Sequence, residues 1–181
     1  MLPGNQTGNQ TDADAGFAID RKTHAIVLTR EFAASREQVF AAWTRPEHVK
    51  CWWDPTGEPL AECEIDLRPG GAFRFVNRHA DGHAGGHAFA GVYREISPPD
   101  HLVFEAMEAI GRVTLEKIGG KTRLTVKIEC GTAARLEQYL KMGIGDGTAR
   151  TLDNLVAHVS KHVSKDVRER AGQVAETMPV P

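Results

Sequence analysis

The sequence predicts an α+β domain in which one antiparallel sheet carries its helices on a single side. Three observations lead there. A strand-like segment is followed by two short helical patterns, six strand-like segments in close succession and a long amphipathic helix. The segments between the strands are too short for the crossovers that parallel pairing requires. The composition, 41% hydrophobic and 25% charged over 181 residues, is that of one globular domain with tails.

Taken in order, residues 1–20 are expected to be a disordered tail. A repeated Gly-Asn-Gln-Thr followed by Asp12, Asp14 and Gly16 offers almost nothing apolar to offset the entropy of ordering. The domain is assigned to residues 21–163, and 164–181 to a frayed helix end and C-terminal tail. Its first strand covers residues 24–32, rich in β-branched and apolar side chains. Ser35 and Gln38 have the pattern of a capping box opening a helix that buries Val39, Phe40 and Trp43. Pro46 starts a second short helix through His48, Val49, Trp52 and Trp53, ended by Asp54-Pro55. Six strands follow at residues 62–67, 72–79, 87–96, 102–107, 112–118 and 122–129. Their punctuation is Arg68-Pro69-Gly70-Gly71, Asp81-Gly82, Ser97-Pro98-Pro99-Asp100 and Gly119-Gly120. A helical period returns through Leu136, Tyr139 and Leu140 and breaks at Gly143, Gly145 and Gly147. It resumes near Thr148, with Leu152, Leu155, Val156, Val159 and Val163 on one face.

Several functions are excluded. A net charge of −2 without clustered Lys or Arg provides no footprint for nucleic acid or an anionic membrane. No run approaches the ~18 apolar residues of a spanning helix. The N-terminus has neither the basic nor the apolar region of a secretory signal, so a cytoplasmic protein is expected and the two Asn-Gln-Thr matches to the glycosylation pattern are accidental. Cys51, Cys63 and Cys130 are odd in number and widely spaced, which argues for small buried hydrophobes and against a disulfide framework or a Cys-x-x-Cys site. Gly143-Ile-Gly-Asp-Gly-Thr148 follows a helical stretch, not a strand, and lacks the spacing of a dinucleotide loop. Phosphate-loop, zinc-protease and hydrolase-elbow motifs are absent.

Seven stretches carry a resemblance: Val39-Phe-Ala-Ala-Trp43, Pro46-Glu47, Trp52-Trp53, Asp66-Leu-Arg-Pro-Gly-Gly71 leading into Phe73 and Phe75, Gly91-Val-Tyr-Arg-Glu-Ile96, Pro98-Pro99-Asp100-His101-Leu102, and Thr151-Leu152-Asp153-Asn154-Leu155. Together they resemble the activator-of-Hsp90-ATPase-homologue-like family of the START/polyketide-cyclase-like (Bet v 1-like) superfamily, over about residues 22–163. The resemblance implies the helix-grip fold, a curved antiparallel sheet of about seven strands wrapped around a long C-terminal helix, with two short helices after the first strand. It also implies a hydrophobic ligand held between sheet and helix. Members usually open the last helix with Gly-Trp; here Thr148 follows Gly147, so the pocket is expected to be more open at that end.

Strand alternation assigns Cys63, Ile65, Leu67, Phe73, Phe75, Phe89, Tyr93, Leu102, Phe104, Val113, Leu115, Leu124, Val126 and Ile128 to the helix-facing side. The opposite face takes Glu62, Glu64, Asp66, Arg74, Arg78, Arg94, Arg112, Glu116, Arg123, Lys127 and Glu129. The same parity puts Asn77, His79 and His87 inward near one end, as the polar pole of an apolar pocket. The expected ligand-binding set is Trp43, Trp53, Phe73, Phe75, Asn77, His79, His87, Phe89, Tyr93, Phe104, Val126 and Leu152, with Trp53 the partly exposed tryptophan at the mouth.

No metal and no cofactor is expected. His79, His83 and His87 recur every four residues, but the glycines between them favour a solvated turn over a helical metal site. His158 and His162 lie off the apolar stripe of the last helix, where the sequence places its C-terminus and the helix dipole favours protonated imidazole.

The leading function is binding of a small hydrophobic or amphipathic molecule without assigned catalysis. One alternative is a cyclase- or hydrolase-type enzyme, which would need an acid or base inside the cavity, with His79, His87, His101 or Glu105 as candidates. The other is a partner-binding module of the kind the family name implies, which needs an exposed apolar patch. The named activator carries a further co-chaperone domain that is not expected here, so Hsp90 stimulation is not the expected activity. A homodimer through the outer sheet face or an edge strand is compatible with the pattern.

Overall fold

The computed structural model describes residues 10–12, 16–78 and 84–176, the backbone alone in 10–12, 84–87 and 166–176. The strands are β1 (Gln10–Asp12), β2 (Phe17–Asp20), β3 (Ala25–Phe32), β4 (Glu62–Ile65), β5 (Ala72–Arg78), β6 (Ala84–Ser97), β7 (His101–Ala106), β8 (Ala109–Ile118) and β9 (Lys121–Glu129). Helices α1 (Arg36–Thr44) and α2 (Pro46–Trp52) lie between β3 and β4, and α3 (Ala133–Lys141) and α4 (Ile144–Glu176) follow β9. All strands pair antiparallel in the order β1-β2-β3-β9-β8-β7-β6-β5-β4. Pairing of β3 with β9 brings both ends of the domain together, and α4 packs against β3 and α2. This is the helix-grip arrangement.

Local chemistry explains the elements. Ser35 caps α1 in a complete capping box: its hydroxyl accepts from the Gln38 amide at 3.3 Å, and the Gln38 side chain accepts from the Ser35 amide at 3.0 Å. Pro46 occupies the first turn of α2, where its missing N–H costs nothing. The Asp66-to-Gly71 run is a tight turn. Gly70 has φ +80°, and a Cβ at Gly71 would stand 2.0 Å from the Asp66 carbonyl oxygen, so only glycine fits. The concave face buries Ile26, Leu28, Phe73, Phe75, Leu102, Val113, Leu124 and Val126 against Leu152, Leu155 and Val159 of α4. The outer face is laced with cross-strand ion pairs such as Arg74–Glu62, Arg94–Glu105 and Arg123–Glu31.

Several expectations need correction. Leu67 does not face the helix; β4 ends at Ile65, the chain enters the tight turn, and Leu67 is 40% exposed. The glycine break is confined to Gly143, whose φ of +73° ends α3; Gly145 and Gly147 lie in the first turns of α4. Helix α4 continues to Glu176, well past residue 163. Phe17–Asp20 is not a disordered tail but a strand paired with β3, with Ile19 buried and β1 paired beyond it. These two strands extend the sheet beyond β3. The reason is long-range. The Phe17 ring fills the space that a Cβ at Gly145 would occupy, 2.6 Å from that position, so glycine in α4 is the seat for an aromatic from the N-terminus. A chain lacking residues 1–20 is expected to lose on the order of 2–4 kcal/mol of stability as Phe17 and Ile19 are removed, read as a lower urea midpoint.

Candidate functional site

The sheet and the N-terminal half of α4 enclose a cavity of about 340 Å³. Trp43 and Trp53 close one side, Asn77, Phe89, Phe104 and Val126 line it from the strands, and Thr148, Thr151 and Leu152 line it from α4. Seven of the expected ligand-binding residues therefore meet here: Trp43, Trp53, Asn77, Phe89, Phe104, Val126 and Leu152. Phe73, Phe75 and Tyr93 do not line it. They form the aromatic wall behind, with Phe73 5.2 Å from Phe75, 5.1 Å from Tyr93 and 5.6 Å from Phe104 between ring centroids. The gap left in that wall, about 10 Å³, is barely room for one water. His79 lies outside the described residues, as does His83; His87 falls in β6, where only the backbone is described.

Sequence reasoning missed the far rim. Met107 belongs to a turn, Tyr139 to α3, and Gly143 and Ile144 to the α3–α4 junction, whose placement no strand alternation encodes. Met107 is 46% exposed and marks the mouth. Gly147 and Thr148 line this end, and no atom lies within 4 Å of a Cβ built at Gly147.

The motif Thr151-Leu-Asp-Asn154 acts as a latch. Thr151 Oγ1 shares its one proton between the Gly147 carbonyl at 3.0 Å and the Trp53 carbonyl at 3.1 Å, and Asn154 Nδ2 donates to the Asp54 carbonyl at 2.9 Å. The buried Asp54 carboxylate in turn accepts from the amide and hydroxyl of Thr56 at 2.8 and 2.7 Å. Helix α4 thereby holds Trp53 against the cavity. Trp53 is half-buried, as expected, with its ring 5.1 Å from Phe89.

The cavity is apolar with few polar groups. The Thr148 hydroxyl donates to the Ile144 carbonyl at 2.7 Å, which leaves its oxygen lone pairs to accept; the Asn77 amide offers both donor and acceptor. Tyr139 is the one ionisable side chain lining it among the described residues; its hydroxyl donates to the Met107 carbonyl, and burial raises its pKa. His101 and Glu105 do not enter the cavity: His101 lies 3.5 Å from Glu95, and Glu105 pairs with Arg94 on the outer face.

The cysteines divide by environment. Cys51 is exposed, contrary to expectation, because it sits on the outer side of α2. Burial pushes the Cys63 thiol up to about 11 and raises that of buried Cys130 as well. Iodoacetamide at pH 8 is expected to label Cys51 first while Cys63 and Cys130 lag, as followed by peptide mass spectrometry.

Further along α4, beyond the residues that line the cavity, His158 and His162 meet His48 of α2. Both lie mid-helix, since α4 runs to Glu176, so the helix-dipole reading does not hold. Burial pushes the His158 imidazole down to about 4, with positive charge on His162, His48 and Lys161 adding to the effect. His48 is lowered by burial in the same way.

A curved antiparallel sheet gripping a long helix, with an apolar cavity between them, defines a ligand-binding or partner-interaction domain of the START-like class. The family model for activator of Hsp90 ATPase homolog 1-like protein matches residues 33–160, and the chain belongs to that family. The fold is shared with a Nitrosomonas europaea protein at 23% identity and TM-score 0.71, covering 81% of this chain and 99% of that one. A Mycobacterium smegmatis protein matches at 23% identity and TM-score 0.71, covering 81% and 97%. An AHSA1-like protein from Aeromonas hydrophila matches at 21% identity and TM-score 0.61, covering 75% and 93%. Comparison with curated proteins finds no match. No helix among the described residues is long and apolar enough to cross a membrane.

Proposed function

We propose that the protein binds a small hydrophobic or amphipathic molecule in the cavity between the sheet and α4. The observation that carries this reading is the cavity itself: about 340 Å³, walled mainly by tryptophan, phenylalanine and aliphatic side chains, with Asn77, Tyr139, Thr148 and Thr151 as its few polar side chains. That volume stands at the lower end of the ~300–1,000 Å³ of small-molecule sites, which favours a one- or two-ring aromatic or a medium-chain acyl compound over a long lipid. Exposed Met107 at the mouth supplies an adaptable apolar entrance. Free thiols at Cys51, Cys63 and Cys130 suit a reducing, cytoplasmic setting.

The test is a thermal-shift screen against medium-chain fatty acids, aromatic polyketides and flavonoids. A ligand at 100 times its Kd stabilises the native state by about 2.7 kcal/mol, a shift of several degrees. Thr148→Trp, which fills the open end, is expected to abolish the shift while the chain still folds. A flat panel, or a shift that survives Thr148→Trp, overturns the reading.

A further inference from the structure

We propose that His48, His158 and His162 form a binding site for a divalent transition-metal ion, zinc by preference, at the contact between α2 and α4. One nitrogen from each ring lies within 4.8 Å of the others, and His48 Nδ1 stands 2.9 Å from His158 Nε2. Ring centroids are 5.1 Å apart for His48 and His158, 4.9 Å for His48 and His162, and 4.3 Å for His158 and His162. Three imidazoles on a tetrahedral ion at ~2.0–2.1 Å place their nitrogens about 3.3 Å apart, so small side-chain rotations from these positions complete the site.

The placement is also rigid. His158 and His162 stand one turn apart on one face of α4, and His48 comes from a second helix packed on it, so no ligand depends on a loop. Three neutral nitrogen donors suit zinc, copper, nickel or cobalt and do not suit the hard cations magnesium or calcium. Zinc is preferred because it imposes no geometry of its own and takes three histidines with an open fourth position. The same three histidines line a cleft of about 410 Å³ with Glu37, Gln38 and Arg45, which leaves room there for an exchangeable fourth ligand such as water. Glu37 in this cleft favours a dication, whereas Arg45 and the nearby Lys161 oppose it. The site shares no lining residue with the ligand cavity and does not depend on the function proposed for it.

The experiment uses the untagged, metal-stripped full chain, titrated with zinc against a chromophoric chelator and with cobalt in visible spectroscopy. One equivalent of zinc is expected, with the intense visible bands of tetrahedral cobalt. His48→Gln, His158→Gln and His162→Gln are each expected to weaken binding by about 100-fold or more, beyond the 10–100-fold that outer partners of a metal site cost. His79, His83 and His87 changed together to Gln should leave it unaltered. Circular dichroism checks folding, and exposed His162 carries the readout if either other substitution unfolds the chain. The proposal fails if less than one equivalent binds at micromolar zinc, if the His48, His158 and His162 variants bind like the parent, or if the His79, His83 and His87 triple variant abolishes binding.

Discussion

Replacing Trp52 with alanine is expected to destabilise the protein by about 3–5 kcal/mol, read as a lower urea midpoint at unchanged slope. The side chain is wholly buried, and its ring stands 5.3 Å from Trp43 and 5.5 Å from Trp53 between centroids. Its Nε1 also donates to the Ala42 carbonyl at 2.9 Å, tying α2 to α1. Truncation leaves a cavity, an unpaired carbonyl and two tryptophans without support. Against a net stability of roughly 5–15 kcal/mol for a domain, that is a large fraction. Trp53→Ala removes a half-buried ring at the cavity edge, so its expected cost in stability is smaller and its main effect falls on ligand binding.

Adding a single methyl group at Gly111 is expected to cost about 1–3 kcal/mol and to abolish ligand-induced thermal shifts. A Cβ there would lie 2.1 Å from the Phe104 ring, which rests across β8 on the bare glycine backbone. Phe104 packs against Phe73 and Phe89, at 5.6 and 6.3 Å between centroids, and lines the cavity with Phe89. The ring is therefore expected to yield into the ligand space. Gly111→Ala combined with Phe104→Ala should recover the packing loss assigned to the clash and reopen the cavity, a non-additivity that a double-mutant cycle measures. Unaltered binding in Gly111→Ala alone would show that Phe104 yields elsewhere.

Much of the fold was legible because its signals are local. The Ser35–Gln38 capping box, Pro46 in the first turn of α2, and the alternation through Phe73 and Phe75 and through Leu124 and Val126 each depend on residues a few positions apart. The cavity was legible where alternation alone decides which side a residue faces, as at Asn77, Phe89, Phe104 and Val126. It was not legible at Met107, Tyr139, Gly143 and Ile144, which reach the cavity from a turn, from α3 and from the α3–α4 junction. Phe73, Phe75 and Tyr93 face inward as read, yet ring packing puts them one layer behind the ligand space.

The α+β class and the order of the main elements follow from the amino-acid order, since periodicity and turn chemistry act over a few residues, and the family follows from the motifs that resemble it. Three features required the folded chain: Phe17 seated on Gly145, Thr151 and Asn154 latching the Trp53 loop, and His48 meeting His158 and His162. Those contacts join residues 98 to 128 positions apart, and such pairs are brought together by sheet closure and helix packing, which leave no local periodic trace.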